Sequence, residues 1–206
     1  MNKTSAIIDQ LSDMFKYFNK ELNAELPEPL FTLIPNRGRS SYYGWYWQNR
    51  WCVNDDLMPE INIAPDHLNR SVDAIAETLL HEMSHLKSSI SGIKDCNSIN
   101  QYHNRKFKDQ AESFGLTVYK IRGKGYAGTK LGERGEEIVN KYKTEILKGS
   151  NPFNVYRVVN SRPKINNSKK SVMIDKDIIE QIEELTGEKI SIAVDDILRT
   201  YINERV

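Results

Sequence analysis

Hydrophobic positions in the first stretch of the chain fall on one side of a helix. Ile7, Ile8, Leu11, Met14, Phe15, Phe18 and Leu22 recur at three- and four-residue spacing, which predicts an amphipathic helix over 5–23 with its apolar face in a core. Pro27 and Pro29 end that pattern. The period then changes to that of strands, with runs at 30–34, 41–52 and 61–64. Gly38 and Asn54-Asp55-Asp56 supply the turn signals between them. The second run holds Tyr42, Tyr43, Trp45, Tyr46, Trp47 and Trp51. Its alternation suits a half-buried strand, so we read sheet packing in preference to a base-stacking surface.

Helical spacing returns after Pro65-Asp66. Asn69 or Ser71 is placed to cap a helix with Asp73 in its first turn, and that helix carries Ala74, Ile75, Thr78 and Leu79 before Gly92 stops it. A polar loop over 93–101 leads to a second helical pattern, headed by His103, running through Phe107, Ala111 and Phe114 and closed by Gly115. Residues 116–130 are Gly-rich and basic, and no element is predicted there. Ile138, Tyr142 and Ile146 predict a helix over 131–147, followed by a short strand over 153–159. A basic, acid-free stretch with Pro163 reads as a linker. The remainder reads as strand, helix, helix: Val172-Met173-Ile174, then Ile178 to Leu185, then Ser191 to Ile202. The expected fold class is α+β. An N-terminal helix, a small antiparallel sheet and the central helix make one domain over 1–150. A linker over 151–168 and a strand-helix-helix module over 169–206 follow.

Composition narrows the function classes. With 39% hydrophobic and 28% charged residues the chain is an ordinary globular one. A net charge of +1 gives no global pull toward nucleic acid or membrane. No apolar run approaches the roughly 20 residues of a membrane span, and the start lacks a signal-peptide core. The two cysteines, Cys52 and Cys96, make neither a disulfide framework nor a four-cysteine zinc module. We expect a cytoplasmic protein with reduced thiols and no membrane association.

The central helix carries the chemistry. It contains His81-Glu82-Met83-Ser84-His85, an H-E-x-x-H pattern. Imidazoles four apart lie one turn from each other on one face and can reach one metal ion. A hydrolytic zinc site takes three protein ligands and leaves a position open. Four histidines are present, so the third ligand is His103 or His67 unless Asp95 or Cys96 supplies it; His103 is favoured because the polar loop can fold it back. Zn2+ would activate water, and Glu82 would take its proton and return it to the leaving amine. Tyr102 is the hydroxyl nearest in sequence to a ligand and a candidate oxyanion donor.

These residues resemble the SprT-like metallopeptidases, a family that includes the Spartan proteases of DNA–protein crosslinks. The match rests on Leu80-His81-Glu82-Met83-Ser84-His85, then Tyr102-His103, Phe107, Ala111 and Phe114-Gly115-Leu116, and it covers roughly residues 5–120. It implies zinc at His81, His85 and His103, Glu82 as acid/base, and a protein or peptide substrate, often a DNA-associated one. Two features depart from the family: Asn104 stands where many members have Gly after the third His, and no cysteine follows Cys96, so the family's frequent zinc ribbon is missing. The tail over 169–206 resembles a ribbon-helix-helix module, which implies a homodimer and DNA as partners. Its rival readings are dimerisation without DNA and a hairpin docked on the catalytic domain. The alternative for the whole chain is a DNA-binding or regulatory protein with a non-proteolytic SprT-like domain.

Overall fold

The structure, a computed structural model, describes residues 3–36, 42–97, 99–153, 155 and 184. By its contacts the chain divides into Met1–Val158 and Val159–Val206, and the described residues fall almost wholly in the first unit. Its described residues are α+β, with four α-helices and two small sheets.

Helix α1 (Lys3–Glu21) forms where the apolar spacing predicts it. Leu11, Met14, Phe15 and Phe18 on its inner face are buried. Phe15 meets Phe31 edge-on, with ring centroids 5.9 Å apart.

The first sheet contains β1 (Leu30–Thr32), β2 (Gly44–Val53) and β3 (Asp56–Ile63), in the order β1-β3-β2. Strands β2 and β3 form a hairpin. Its turn residues Asn54 and Asp55 take positive φ, 50° and 69°, as primed turns require. Only β2–β3 is antiparallel; β1 runs parallel to β3. The sheet is therefore mixed, not antiparallel as predicted. The cause lies in β3, whose inner half from Glu60 to Ile63 is buried. The hairpin satisfies one edge of that half, and the long 33–43 connection lets β1 cover the other. Strand β3 also starts earlier than the run at 61–64, because Asp56, Pro59 and Glu60 hide its alternation.

Helix α2 (Val72–Ile90) is the centre of the unit. Ser71, not Asn69, caps it: the Ser71 hydroxyl accepts from the Ala74 N–H at 3.2 Å. Ile75, Ala76, Leu79, Leu80, Met83 and Leu86 are fully buried, so this helix supplies much of the core that both sheets share.

The second sheet contains β4 (Cys96–Asn97), β5 (Tyr102–His103), β6 (Leu116–Ile121) and β7 (Gly125–Leu131), in the order β4-β5-β7-β6. Three corrections follow from it. The loop over 93–101 contains β4. The helix expected to be headed by His103 begins only at Arg105 as α3 (Arg105–Ser113), so His103 sits on a strand and not in a helix. The reason is Asn104, whose side chain accepts from the Lys106 and Phe107 N–H groups at 2.7 and 3.3 Å and so fixes the helix start after His103. The basic stretch 116–130 is a β-hairpin, and Gly123, Gly125 and Gly128 had masked its strand pattern.

Helix α4 (Glu133–Tyr142) starts two residues later than predicted, since Leu131 still belongs to β7. A π-turn over Lys143–Leu147 continues it. Tyr142 is fully buried against Phe18, 5.7 Å between centroids. Phe153 lies in a turn and is buried; of the strand expected over 153–159, residues 154 and 156–159 lie outside the described residues. Apart from Val155 and Glu184, all that follows lies outside the described residues, including the rest of the linker and the 169–206 module. Among the described residues no helix is long and apolar enough to cross a membrane.

Candidate metal centre

Helix α2 presents His81 and His85 one turn apart, and β5 brings His103 to them. Strand β5 is short but fixed on both sides. His103 pairs with Cys96 on β4 and with Gly125 on β7, its N–H donates to the Lys124 carbonyl at 3.0 Å, and the Asn104 N–H donates to the Asp95 carbonyl at 2.9 Å. The result is a cluster in which one ligand atom from each of His81, His85 and His103 lies within 4.8 Å of the others. The ring centroids are 5.1, 5.2 and 4.9 Å apart. Phe107, fully buried at the start of α3, packs against all three rings at 4.7, 4.5 and 4.5 Å. Tyr46 of β2 lies parallel to His85 at 6.5 Å.

The outer nitrogens settle which inner nitrogens are free. His103 Nδ1 is 3.0 Å from the Gln101 carbonyl, and His85 Nδ1 is 2.8 Å from Asp95 Oδ2. Both partners only accept, so both Nδ1 atoms carry the proton and both Nε2 atoms hold a lone pair. Those two lone pairs face each other, with His85 Nε2 and His103 Nε2 3.1 Å apart. A tetrahedral ion with bonds of about 2.0–2.1 Å would separate its nitrogens by about 3.3–3.4 Å. The donor set fits a metal ion: a cation between the rings turns a repulsion into two bonds.

The chain matches no family model, no curated protein and no solved structure.

Electrostatics agree with that geometry. Burial, then the neighbouring His85 and His103, holds His81 well below the ordinary histidine range. Burial and His85 bring His103 down to about 4. Both rings are neutral at pH 7, so no proton competes for their lone pairs. Glu82 projects from the same turn and is 6% exposed. Burial raises its carboxyl to about 7, with Asp95 adding to the rise and His85 opposing it. Strand β2 comes close here, since a Cβ built on Gly44 would lie 3.3 Å from Glu82 Oε1 and 2.7 Å from the Asn62 carbonyl. The Asn62 carbonyl is the contact that a side chain at Gly44 could not accommodate, so glycine lets the strand run this close to the carboxylate.

The rival third ligands take other roles. Asp95 is the hydrogen-bond partner of His85 and not a member of the three-ligand cluster. The Cys96 thiol is pushed up to about 11 by burial, then by Asp95 and Glu82, and it is not a member of the three-ligand cluster. His67 lies on a short 3-10 turn with its ring 4.8 Å from Tyr43. Tyr102 and His103 are neighbours on a strand and point to opposite faces; Tyr102 is exposed where His103 is buried. The oxyanion role considered for Tyr102 gains nothing from this placement.

Two residues escaped the sequence reading. The Thr129 hydroxyl on β7 lies 3.4 Å from His81 Nδ1 and donates to Glu77 Oε1 at 3.1 Å. Glu77 stands four residues before His81, on the same helix face, which was a legible signal. Thr129 had none, because no strand was expected around it.

Proposed function

We propose that the chain is a zinc-dependent metallopeptidase of SprT-like type, with α2 as the active-site helix of a zincin-like fold. The observation that carries this reading is the convergence of His81, His85 and His103, with Glu82 on the same turn of α2. Three imidazoles suit catalytic zinc, which keeps a fourth position for water. When bound, the metal supplies a lowered water pKa and polarisation of a carbonyl. The chain supplies the rest. Glu82 has a carboxyl of about 7, matched to accepting a proton near neutrality and releasing it to a leaving amine. Phe107 packs against all three rings and Tyr46 lies parallel to His85, which helps to orient them. The two free cysteines are in keeping with a reducing, cytoplasmic setting.

The substrate class we propose is polypeptide, with DNA-associated proteins as the first to try. The zinc-loaded chain is incubated with casein, histone and a DNA-crosslinked protein, with and without single-stranded DNA. Wild type cleaves at least one. Glu82→Gln keeps the metal and loses cleavage by about 100-fold or more, the size of a general-base contribution. A zinc-loaded wild type that cleaves none of them rules out the peptidase reading. A Glu82→Gln variant that still cleaves removes Glu82 from the mechanism.

A further inference from the structure

We propose that Glu77 is a positioning residue that sets the tautomer of His81 through the hydroxyl of Thr129. The inference rests on the metal-centre reading above and assigns a role to a carboxylate that the reaction itself does not use. His85 and His103 are each held by a partner that only accepts, the Asp95 carboxylate and the Gln101 carbonyl. His81 alone has an outer partner that can also donate. A hydroxyl has one proton and two lone pairs. If the Thr129 proton went to His81 Nδ1, the ring proton would move to Nε2, the nitrogen that must bind metal. Glu77 prevents this. Its Oε1 accepts the Thr129 proton at 3.1 Å, which leaves a hydroxyl lone pair toward His81 Nδ1 at 3.4 Å.

The parts are placed by the fold. Glu77 and His81 are one turn apart on α2, and Thr129 enters between them from β7, only 9% exposed. Glu77 is half-buried, and burial pushes its carboxyl up. The Thr129 hydrogen bond, Arg70 and Lys130 all oppose that push and favour the carboxylate that accepts. A glutamine in place of Glu77 can turn its NH2 toward the Thr129 oxygen. The hydroxyl proton is then free to point at His81.

The test uses the full chain. In metal-free, 15N-histidine-labelled protein, long-range proton–nitrogen spectra read the His81 tautomer directly. Zinc affinity is measured in parallel by chelator competition. Wild type shows Nδ1–H at His81. Glu77→Gln shows a mixed or Nε2–H ring and binds zinc about 10–100-fold more weakly, as loss of an outer partner of a ligand does. Thr129→Val, which keeps the shape and loses the hydroxyl, also weakens binding, and Thr129→Ser restores it. A Glu77→Gln protein with the wild-type tautomer and affinity overturns the inference. So does a Thr129→Ser protein as weak as Thr129→Val, which would leave only methyl packing. A wild type that binds no zinc overturns the metal-centre reading instead, and the tautomer spectrum still reports on Glu77.

Discussion

Asp95 shows how much one side chain decides at this site. It is 8% exposed, and its carboxylate sits 2.8 Å from His85 Nδ1. The partner keeps the ring oriented and makes Nε2 a better donor. Asp95→Asn replaces an acceptor by a group that can donate to Nδ1 and flip the tautomer. The expected result is a loss of zinc affinity of about 10–100-fold, measured by chelator competition with the metal-free melting temperature as control. An unchanged affinity would make Asp95 a bystander. His81, Glu82, His85 and His103 were legible in the sequence, since two imidazoles at helical spacing leave few histidines to choose among. Asp95 was legible only as a rival ligand. Carboxylates serve both roles, and only the distance to Nδ1 tells them apart. Glu77 was legible from its place one turn before His81 but went unread, and Thr129 was not legible, because no strand was expected around it.

Among the elements, β5 is as short as its neighbour β4 and is the one the site depends on most. Two residues long, it holds His103 through pairing with β4 and β7. The close approach at Gly125 makes that pairing possible. Gly125 has φ of +65°, and a Cβ there would collide with the His103 carbonyl. Gly125→Ala should therefore push β5 away from β7, shift His103, weaken zinc binding and lower the melting temperature. Titration and a thermal melt read both effects, and a variant with wild-type affinity would show that β5 holds its place without this contact. The helices α1 and α2 were legible because each has a wide apolar stripe and a clean start or stop. The β6–β7 hairpin was not, because glycine at Gly125 and Gly128 removes the side chains that mark alternation. At Gly128 the missing side chain is replaced by the Tyr119 ring, which occupies the space a Cβ would take. Asn104, the departure from the SprT-like pattern, proves to be the α3 cap. It also donates to the Lys94 carbonyl at 2.9 Å, which ties the loop before the third ligand to the helix after it.

For the molecule as a whole, helix α2 joins core and chemistry, so protons at the site act on global stability. The metal-free fold keeps His103 at about 4 and His81 well below the ordinary range. The unfolded chain protonates these rings near 6.5, so stability is lost as pH falls from 6.5 toward 4. Glu82 works the other way. Its folded carboxyl titrates at about 7, above its unfolded value, so its contribution is full below about 4.5 and is lost as pH rises through 7. Glu82→Gln removes the opposing group. In chelator-treated protein its stability should fall more steeply than wild type between pH 6.5 and 4.5, by up to about 1.4 kcal/mol per pH unit. Denaturant unfolding at several pH values reads the slope; parallel curves would contradict the burial of Glu82. At this scale the α+β class was legible from the switch between helical and strand periods. The mixed sheets were not, because strand direction depends on which buried edge a distant strand covers. The central claim is that His81, His85 and His103 hold one metal ion. Its most direct measurement is the zinc stoichiometry of the purified, zinc-equilibrated full chain, wild type against His103→Ala. One tightly held zinc per wild-type chain, and a large loss of affinity in the variant, is the predicted result. A wild type without zinc, or a variant that binds as wild type does, would contradict it.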